Sequence, residues 1–342
     1  MKKIIIIGAG AMGSAFTFPC IENNNDVTIV GTHLEDELIE KIKMNKNVHP
    51  SLNIKLPNPL KIEKFDQLKL ILKKDVDIIV AGVSSVGIKW FVDQISKNYK
   101  ENLPIILLTK GLSIVKNEIT TLSDKIKILL SEKGHKKINI SAIKGPCLAA
   151  GLANKMRTGT VIANPDITEA QNLKEIISTE YYSTEISNDL IGVELSGAIK
   201  NIYSMLIGAS EGLSNSNAPI EIQSKYYLNT SASLIHRSIS EMVDFVTHYG
   251  GNPKTVYGLA GLGDLYVSAI GGRNSIMGKY LGQGYLYKEA KEKFMKNITV
   301  EGAQLALEIG PKILNDLNIK NFPLMFSMLS TICNNKKLEI NW

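Results

Sequence analysis

Lys3-Ile4-Ile5-Ile6-Ile7-Gly8-Ala9-Gly10-Ala11-Met12-Gly13 is the stretch that decides the fold. The four isoleucines make a β-branched apolar run too short for a helix, and the pattern G-x-G-x-x-G follows it at once. A buried strand that turns on glycines into a helix is the arrangement that binds a dinucleotide pyrophosphate. Gly8 permits the tight turn, Gly10 admits the phosphates to the backbone, and Gly13 lets helix and strand pack closely. The helix N-terminus then stabilises the anion. Gly8, Gly10, Ala11, Met12 and Gly13 are therefore the expected phosphate loop. Met1-Lys2-Lys3 before the run imitates a secretion signal, but the apolar run breaks at Gly8, short of the roughly seven residues a signal core needs.

Outward from this stretch, short β-branched runs alternate with helical intervals: Val27 to Val30, Val76 to Val80, Pro104 to Thr109, Ile138 to Ile143 and Thr160 to Ala163. Few alternate polar with apolar, which is the pattern of a parallel sheet buried on both faces. The reading is a Rossmann-type doubly wound, mostly parallel sheet over residues 1–187. From about Asn188 the strand signal gives way to amphipathic segments at 190–212, 222–249, 276–294 and 302–317, so residues 188–342 should form an all-helical second domain.

The composition fits two soluble domains. The chain has 342 residues, of which 44% are hydrophobic and 21% charged, with a mean hydropathy of +0.02. That is neither the profile of a disordered chain nor, on this reading, one with a membrane-length apolar run. Cys20, Cys147 and Cys333 are far apart and lack metal-ligand spacing, so no disulfide framework or metal site is expected and a reducing cytoplasm fits. The net charge of +6 is spread as lysines among acids, which gives no support for nucleic acid binding. Only Arg157, Arg237 and Arg273 are arginines. A chain so biased toward lysine keeps arginine where a planar fork is needed.

Three further segments carry chemistry. The second strand ends Gly31-Thr32-His33 where a site for the free ribose of NAD would end in Asp or Glu. Thr32 and His33 can both donate to a 2′-phosphate and no carboxylate stands at that position, so NADP or NAD is expected with a slight lean to NADP; Glu35 nearby could still swing in. On the helix from 190, Ile191, Leu195, Ala198, Ile202 and Leu206 share one side, while Glu194, Gly197, Asn201, Ser204 and Gly208 form a stripe with Lys200 at its edge. Small residues in such a stripe allow close helix packing. Lys200 and Asn201 point instead to a ligand wall. Gly258-Leu259-Ala260-Gly261-Leu262-Gly263-Asp264-Leu265 and Gly271-Gly272-Arg273-Asn274 hold backbone in conformations that favour glycine, and an Arg beside an Asn among glycines suits a phosphate.

With these segments, Glu194-Leu195-Ser196-Gly197-Ala198-Ile199-Lys200-Asn201, Leu108-Thr109-Lys110-Gly111, Gly145-Pro146, Val300-Glu301-Gly302 and Phe322-Pro323-Leu324, the chain resembles NAD(P)-dependent glycerol-3-phosphate dehydrogenases over nearly its whole length. The resemblance implies reversible hydride transfer between nicotinamide and dihydroxyacetone phosphate. By motif match, Lys200 is the acid/base with Asp264 beside it, and Lys110 and Asn201 complete the polar cluster. Ser268, Arg273, Asn274 and Lys110 bind substrate, and Lys110, Arg273 and Glu301 also meet the cofactor. Asn229 matches the family's Asn on a preceding helix. A homodimer and glycerol 3-phosphate supply for phospholipid synthesis are implied as well.

Two places depart from the family pattern. After Gly145-Pro146 the run Cys147-Leu148-Ala149-Ala150-Gly151 lacks the usual charges, and the polar segment from Glu211 to Tyr227 resembles archaeal-type members. These departures leave open a larger ketose or polyol phosphate as substrate. A nucleotide sensor without catalysis is the rival from another class, and the intact set Lys110, Lys200 and Asp264 argues against it.

Overall fold

The computed structural model describes residues 1–214 and 220–340. Two compact units divide the chain: Met1–Lys110 with Leu122–Leu190, and Gly111–Thr121 with Ile191–Trp342.

The first unit is built on an eight-stranded sheet. Its strands run in the order Tyr182–Ser187, Thr158–Ala163, Ile140–Lys144, Ile105–Leu107, Ile78–Ala81, Lys3–Ile7, Asp26–Val30, Lys61–Glu63. Every pairing is parallel except that of Ile140–Lys144 with Thr158–Ala163. The chain winds outward from Lys3–Ile7 to one edge, then returns to pair Ile78–Ala81 on its other side. The strand order reverses there, and in such sheets ligands bind outside the carboxyl ends of the strands at that point. Both the sheet core and the helix Ala11–Glu22, buried from Gly13 to Cys20, are apolar because helices cover both faces.

The second unit gathers the helices Leu190–Ser214, Ile220–His248, Arg273–Gly282, Tyr287–Phe294, Glu301–Asp316 and Pro323–Cys333 around one apolar core. The amphipathic segment expected at 276–294 is two helices, divided where Gly284 takes a φ of 93°. The division expected after residue 187 also differs. A hairpin of Leu112–Val115 and Glu118–Thr121 belongs to the helical unit, with Leu112 in its core. Lys116 and Asn117 turn this hairpin at φ of 49° and 65°, the pair of left-handed residues a two-residue turn needs.

Leu190–Ser214 is long and apolar enough to cross a membrane, which the composition did not suggest, yet 94% of its apolar window is buried within the protein. Residues 215–219, inside the polar segment expected to resemble archaeal-type members, lie outside the described residues.

Candidate functional site

The phosphate loop begins at the reversal of strand order. Gly8 follows the strand with φ of 113°, and its N–H donates to Val30 O at 2.8 Å. A Cβ on Gly8 would stand 2.6 Å from Gly82 O on the neighbouring strand's exit, and one on Gly13 would overlap Gly8 O, so both positions require glycine. Gly10 is different. A Cβ there would meet only Glu35 Oε1, at 3.7 Å, so space lies open beside it. Gly10 caps the helix Ala11–Glu22 with extended backbone, no side chain caps it, and its first turn carries no acid. The early N–H groups, those of Ala11, Met12 and Gly13, therefore have no partner within the helix and suit a pyrophosphate.

At the end of the second strand the structure corrects one expectation. A carboxylate does stand there, because Glu35 folds back: its Oε2 accepts from Thr32 N at 2.8 Å and from Ala9 N at 3.0 Å. The acid lies five residues past the strand, which ends at Val30, so the sequence left its approach open; a turn from Glu35 N to Thr32 O returns it. Thr32 Oγ1 accepts weakly from Leu34 N at 3.4 Å. His33 packs its exposed ring on Trp90, with centroids 5.0 Å apart, and near Phe65.

Two residues of this unit went unnoticed in the sequence. His49, fully buried, accepts from Leu52 N at Nδ1 and donates from Nε2 to Ala9 O at 3.0 Å. The hydrogen bonds assign these roles to the two ring nitrogens. Ala9 O also accepts from Ser14 Oγ. Nothing in spacing marks His49. Lys144 ends a buried strand at 2% exposure and donates to Leu107 O at 3.1 Å; a lysine closing a strand of small and apolar residues before Gly145-Pro146 was a legible signal. Lys110 Nζ donates to Gly145 O at 3.3 Å.

In the second unit, Lys200 Nζ donates to Asp264 Oδ1 at 2.8 Å, and the two side chains are 4% and 2% exposed. It also donates to Ser268 Oγ. Asp264 and Ser268 start and follow one turn along the helix Asp264–Ala269, and the i, i+4 spacing puts both on one face. The preceding glycines wind through a wider turn, with Gly263 N donating to Gly258 O, five residues back. Such turns recur at functional sites. Gly261 allows this one, since a Cβ there would overlap Val256 O.

One residue along from Lys200, Asn201 joins a chain of amides. Gly302 N donates to Asn274 Oδ1 and Asn274 Nδ2 to Asn201 Oδ1, each at 2.9 Å, with both asparagines buried. Arg273, at the start of the helix carrying Asn274, pairs its Nη2 with Glu301 Oε1 at 2.6 Å, both side chains about half exposed. The small residues beyond them do pack closely: Cβ atoms on Gly208 or Gly278 would overlap the backbone of Ser275 or Met205. So the stripe is ligand wall chemistry at Lys200 and Asn201 and a packing seam further along. Within this unit Lys200, Asp264 and Ser268 come together, as do Asn201 with Asn274 and Arg273 with Glu301. Asn229 is exposed.

Two family models, the N-terminal and C-terminal parts of NAD-dependent glycerol-3-phosphate dehydrogenase, match residues 3–170 and 189–340. The chain belongs to the NAD(P)-dependent glycerol-3-phosphate dehydrogenase family. It is therefore an oxidoreductase acting on a CH–OH group, with NAD or NADP as cofactor. Among relatives of this family, the NADP(+)-dependent glycerol-3-phosphate dehydrogenase of Archaeoglobus fulgidus is 33% identical over 92% of each chain. The glycerol-3-phosphate dehydrogenase [NAD(P)+] of Mesoplasma florum is 30% identical over 96% of this chain and 93% of its own. The fold is shared with solved glycerol-3-phosphate dehydrogenases from Coxiella burnetii, with a TM-score of 0.81 at 24% identity over 98% of this chain and 96% of that one, and from Plasmodium falciparum, at 0.81 and 22% over 98% and 92%.

Proposed function

We propose that this dehydrogenase reduces dihydroxyacetone phosphate reversibly to sn-glycerol 3-phosphate, with NADPH used at least as well as NADH. The reading extends to a cytoplasmic homodimer supplying glycerol 3-phosphate for phospholipid synthesis. The observation that carries the chemistry is the buried ammonium of Lys200 seated on Asp264 and Ser268, beside the locked amides of Asn201 and Asn274. The lean to NADPH draws on Thr32 and on the archaeal relative whose name specifies NADP(+).

Gly8 to Gly13 would hold the nicotinamide cofactor, which when bound would supply hydride to the middle carbon of the substrate. As that carbon is reduced, negative charge builds on its oxygen. Lys200 donates a proton to this oxygen and stabilises the charge beforehand, a contribution of about 10²- to 10⁴-fold for a positioned acid. Asp264 and Ser268 fix the direction of the Lys200 amino group by accepting two of its hydrogen bonds. With Oδ1 of Asn201 accepting from Asn274, its Nδ2 is the side of the amide to offer a substrate oxygen. Arg273 and Asn274 hold the phosphate, so that binding energy aligns the carbonyl in the transition state. In the reverse direction Lys200, once neutral, takes the hydroxyl proton. Lys110 is assigned a second positive charge for the doubly anionic substrate on its motif alone.

The test follows NADH and NADPH oxidation with dihydroxyacetone phosphate, larger phosphorylated ketoses and unphosphorylated dihydroxyacetone. Dihydroxyacetone phosphate should give the highest kcat/KM. A larger ketose phosphate preferred by tenfold or more would replace it as the substrate.

A further inference from the structure

We propose that Glu35 sets the cofactor preference, holding a carboxylate where the 2′ position of the adenosine ribose is read and so keeping NADH in use alongside NADPH. This rests on the dinucleotide reading of the glycine loop.

The carboxylate is anchored rather than passing by. Its Oε2 accepts two backbone N–H groups from separate segments, Thr32 at the strand's end and Ala9 in the glycine loop. Ala9 is itself clamped on its other side, where its carbonyl accepts from His49 Nε2 and Ser14 Oγ. The peptide that Glu35 grips therefore has little freedom to shift. Oε1 faces the open space beside Gly10. Strand ends in this position are where sheets of this winding read the ribose. An ionised carboxylate only accepts hydrogen bonds, so Oε1 suits a ribose hydroxyl, which donates.

A 2′-phosphate meets the opposite situation. It brings close to two negative charges against a carboxylate, with the Thr32 hydroxyl and the exposed His33 ring as the neighbouring side-chain donors. Asp36 and Glu37 lie in the first turn of the adjoining helix Asp36–Met44. Two lysines of the neighbouring elements are paired with acids there: Lys43 with Glu63 and Lys64 with Glu40. The three arginines, at 157, 237 and 273, are all remote in sequence from this strand end. To admit NADPH, Glu35 must leave Thr32 N and Ala9 N, and those donors with the Thr32 hydroxyl then pass to the phosphate. NADPH binding thus carries the displacement of Glu35, whereas NADH binding uses it.

The test measures binding without turnover, by calorimetric titration of the wild-type chain, Glu35→Gln and Glu35→Ala with 2′,5′-ADP and 5′-AMP, and then with NADP+ and NAD+. Glu35→Gln keeps the size and an acceptor but removes the charge. It should tighten 2′,5′-ADP by about tenfold or more, as expected when a like charge is removed, while 5′-AMP changes by less than about threefold. Glu35→Ala should tighten 2′,5′-ADP similarly and weaken 5′-AMP. Equal changes for both ligands, or none for 2′,5′-ADP, would reduce Glu35 to a brace of the loop and overturn the proposal. A wild-type chain that binds none of the four ligands would overturn the dinucleotide reading itself, a result distinct from lost discrimination.

Discussion

Arg273→Lys keeps the charge and removes the fork, which separates a phosphate seat from a structural brace. Arg273 opens the helix Arg273–Gly282 after Gly271, whose φ is 87°, and it pairs with the half-exposed Glu301. An exposed ion pair contributes about 0–1 kcal/mol, and lysine can still reach a carboxylate. In a chain of this size that corresponds to a Tm shift of no more than about 2–4 °C. The functional loss should be larger. A guanidinium gripping two phosphate oxygens is replaced by one mobile point charge, so kcat/KM for dihydroxyacetone phosphate should fall roughly 10- to 10³-fold, or about 1.4 to 4 kcal/mol. Unphosphorylated dihydroxyacetone gives the fork nothing to hold. With it, wild type and variant should both be poor and nearly equal in steady-state assays. Equal losses on both substrates, accompanied by a lower Tm, would refute the phosphate seat.

Two other perturbations test what holds the site in place. Glu241, 5% exposed, accepts from Leu324 N, Met325 N and Tyr203 Oη and so caps the helix Pro323–Cys333. Glu241→Ala would leave three buried donors unsatisfied and should cost about 2–4 kcal/mol in urea unfolding. Burial raises the Glu241 carboxyl above its usual range. The folded state therefore binds the proton more tightly, and the wild type's stability relative to Glu241→Gln should fall as pH rises from about 4. A relative stability that instead rises with pH would contradict that sign. Gly278→Ala forces a Cβ into Met205 O, where backbone cannot yield, and should cost at least about 1–3 kcal/mol. It should also lower kcat/KM, because Arg273 and Asn274 ride on the same helix; an unperturbed unfolding midpoint would remove the packing seam.

Buried parallel strands were legible because burial on both faces leaves an uninterrupted apolar run, as in Lys3–Ile7. Tyr182–Ser187 escaped because it is an edge strand whose serines and glutamate face outward, and Lys61–Glu63 is the other edge, three residues long. The hairpin at 112–121 turns on Lys116-Asn117 without the glycine that usually marks such a turn. In the site, Asp264 and Ser268 could be paired by their helical spacing. Their meeting with Lys200, 64 and 68 residues away in sequence, is set by tertiary packing and was reached only through resemblance. Glu35 was visible as a residue, but its place was not, since a single turn returns it to the strand end.

The central claim is that the Lys200 ammonium donates the proton in ketone reduction. Lys200→Met alone would strand the buried Asp264, so the measurement pairs it with Asp264→Asn, which leaves no orphaned charge. Cofactor affinity from titration and turnover with dihydroxyacetone phosphate are read on the same preparation. The account predicts dinucleotide binding within about threefold of wild type and kcat lower by at least about 10²-fold. Turnover within a few-fold of wild type would remove Lys200 from the chemistry.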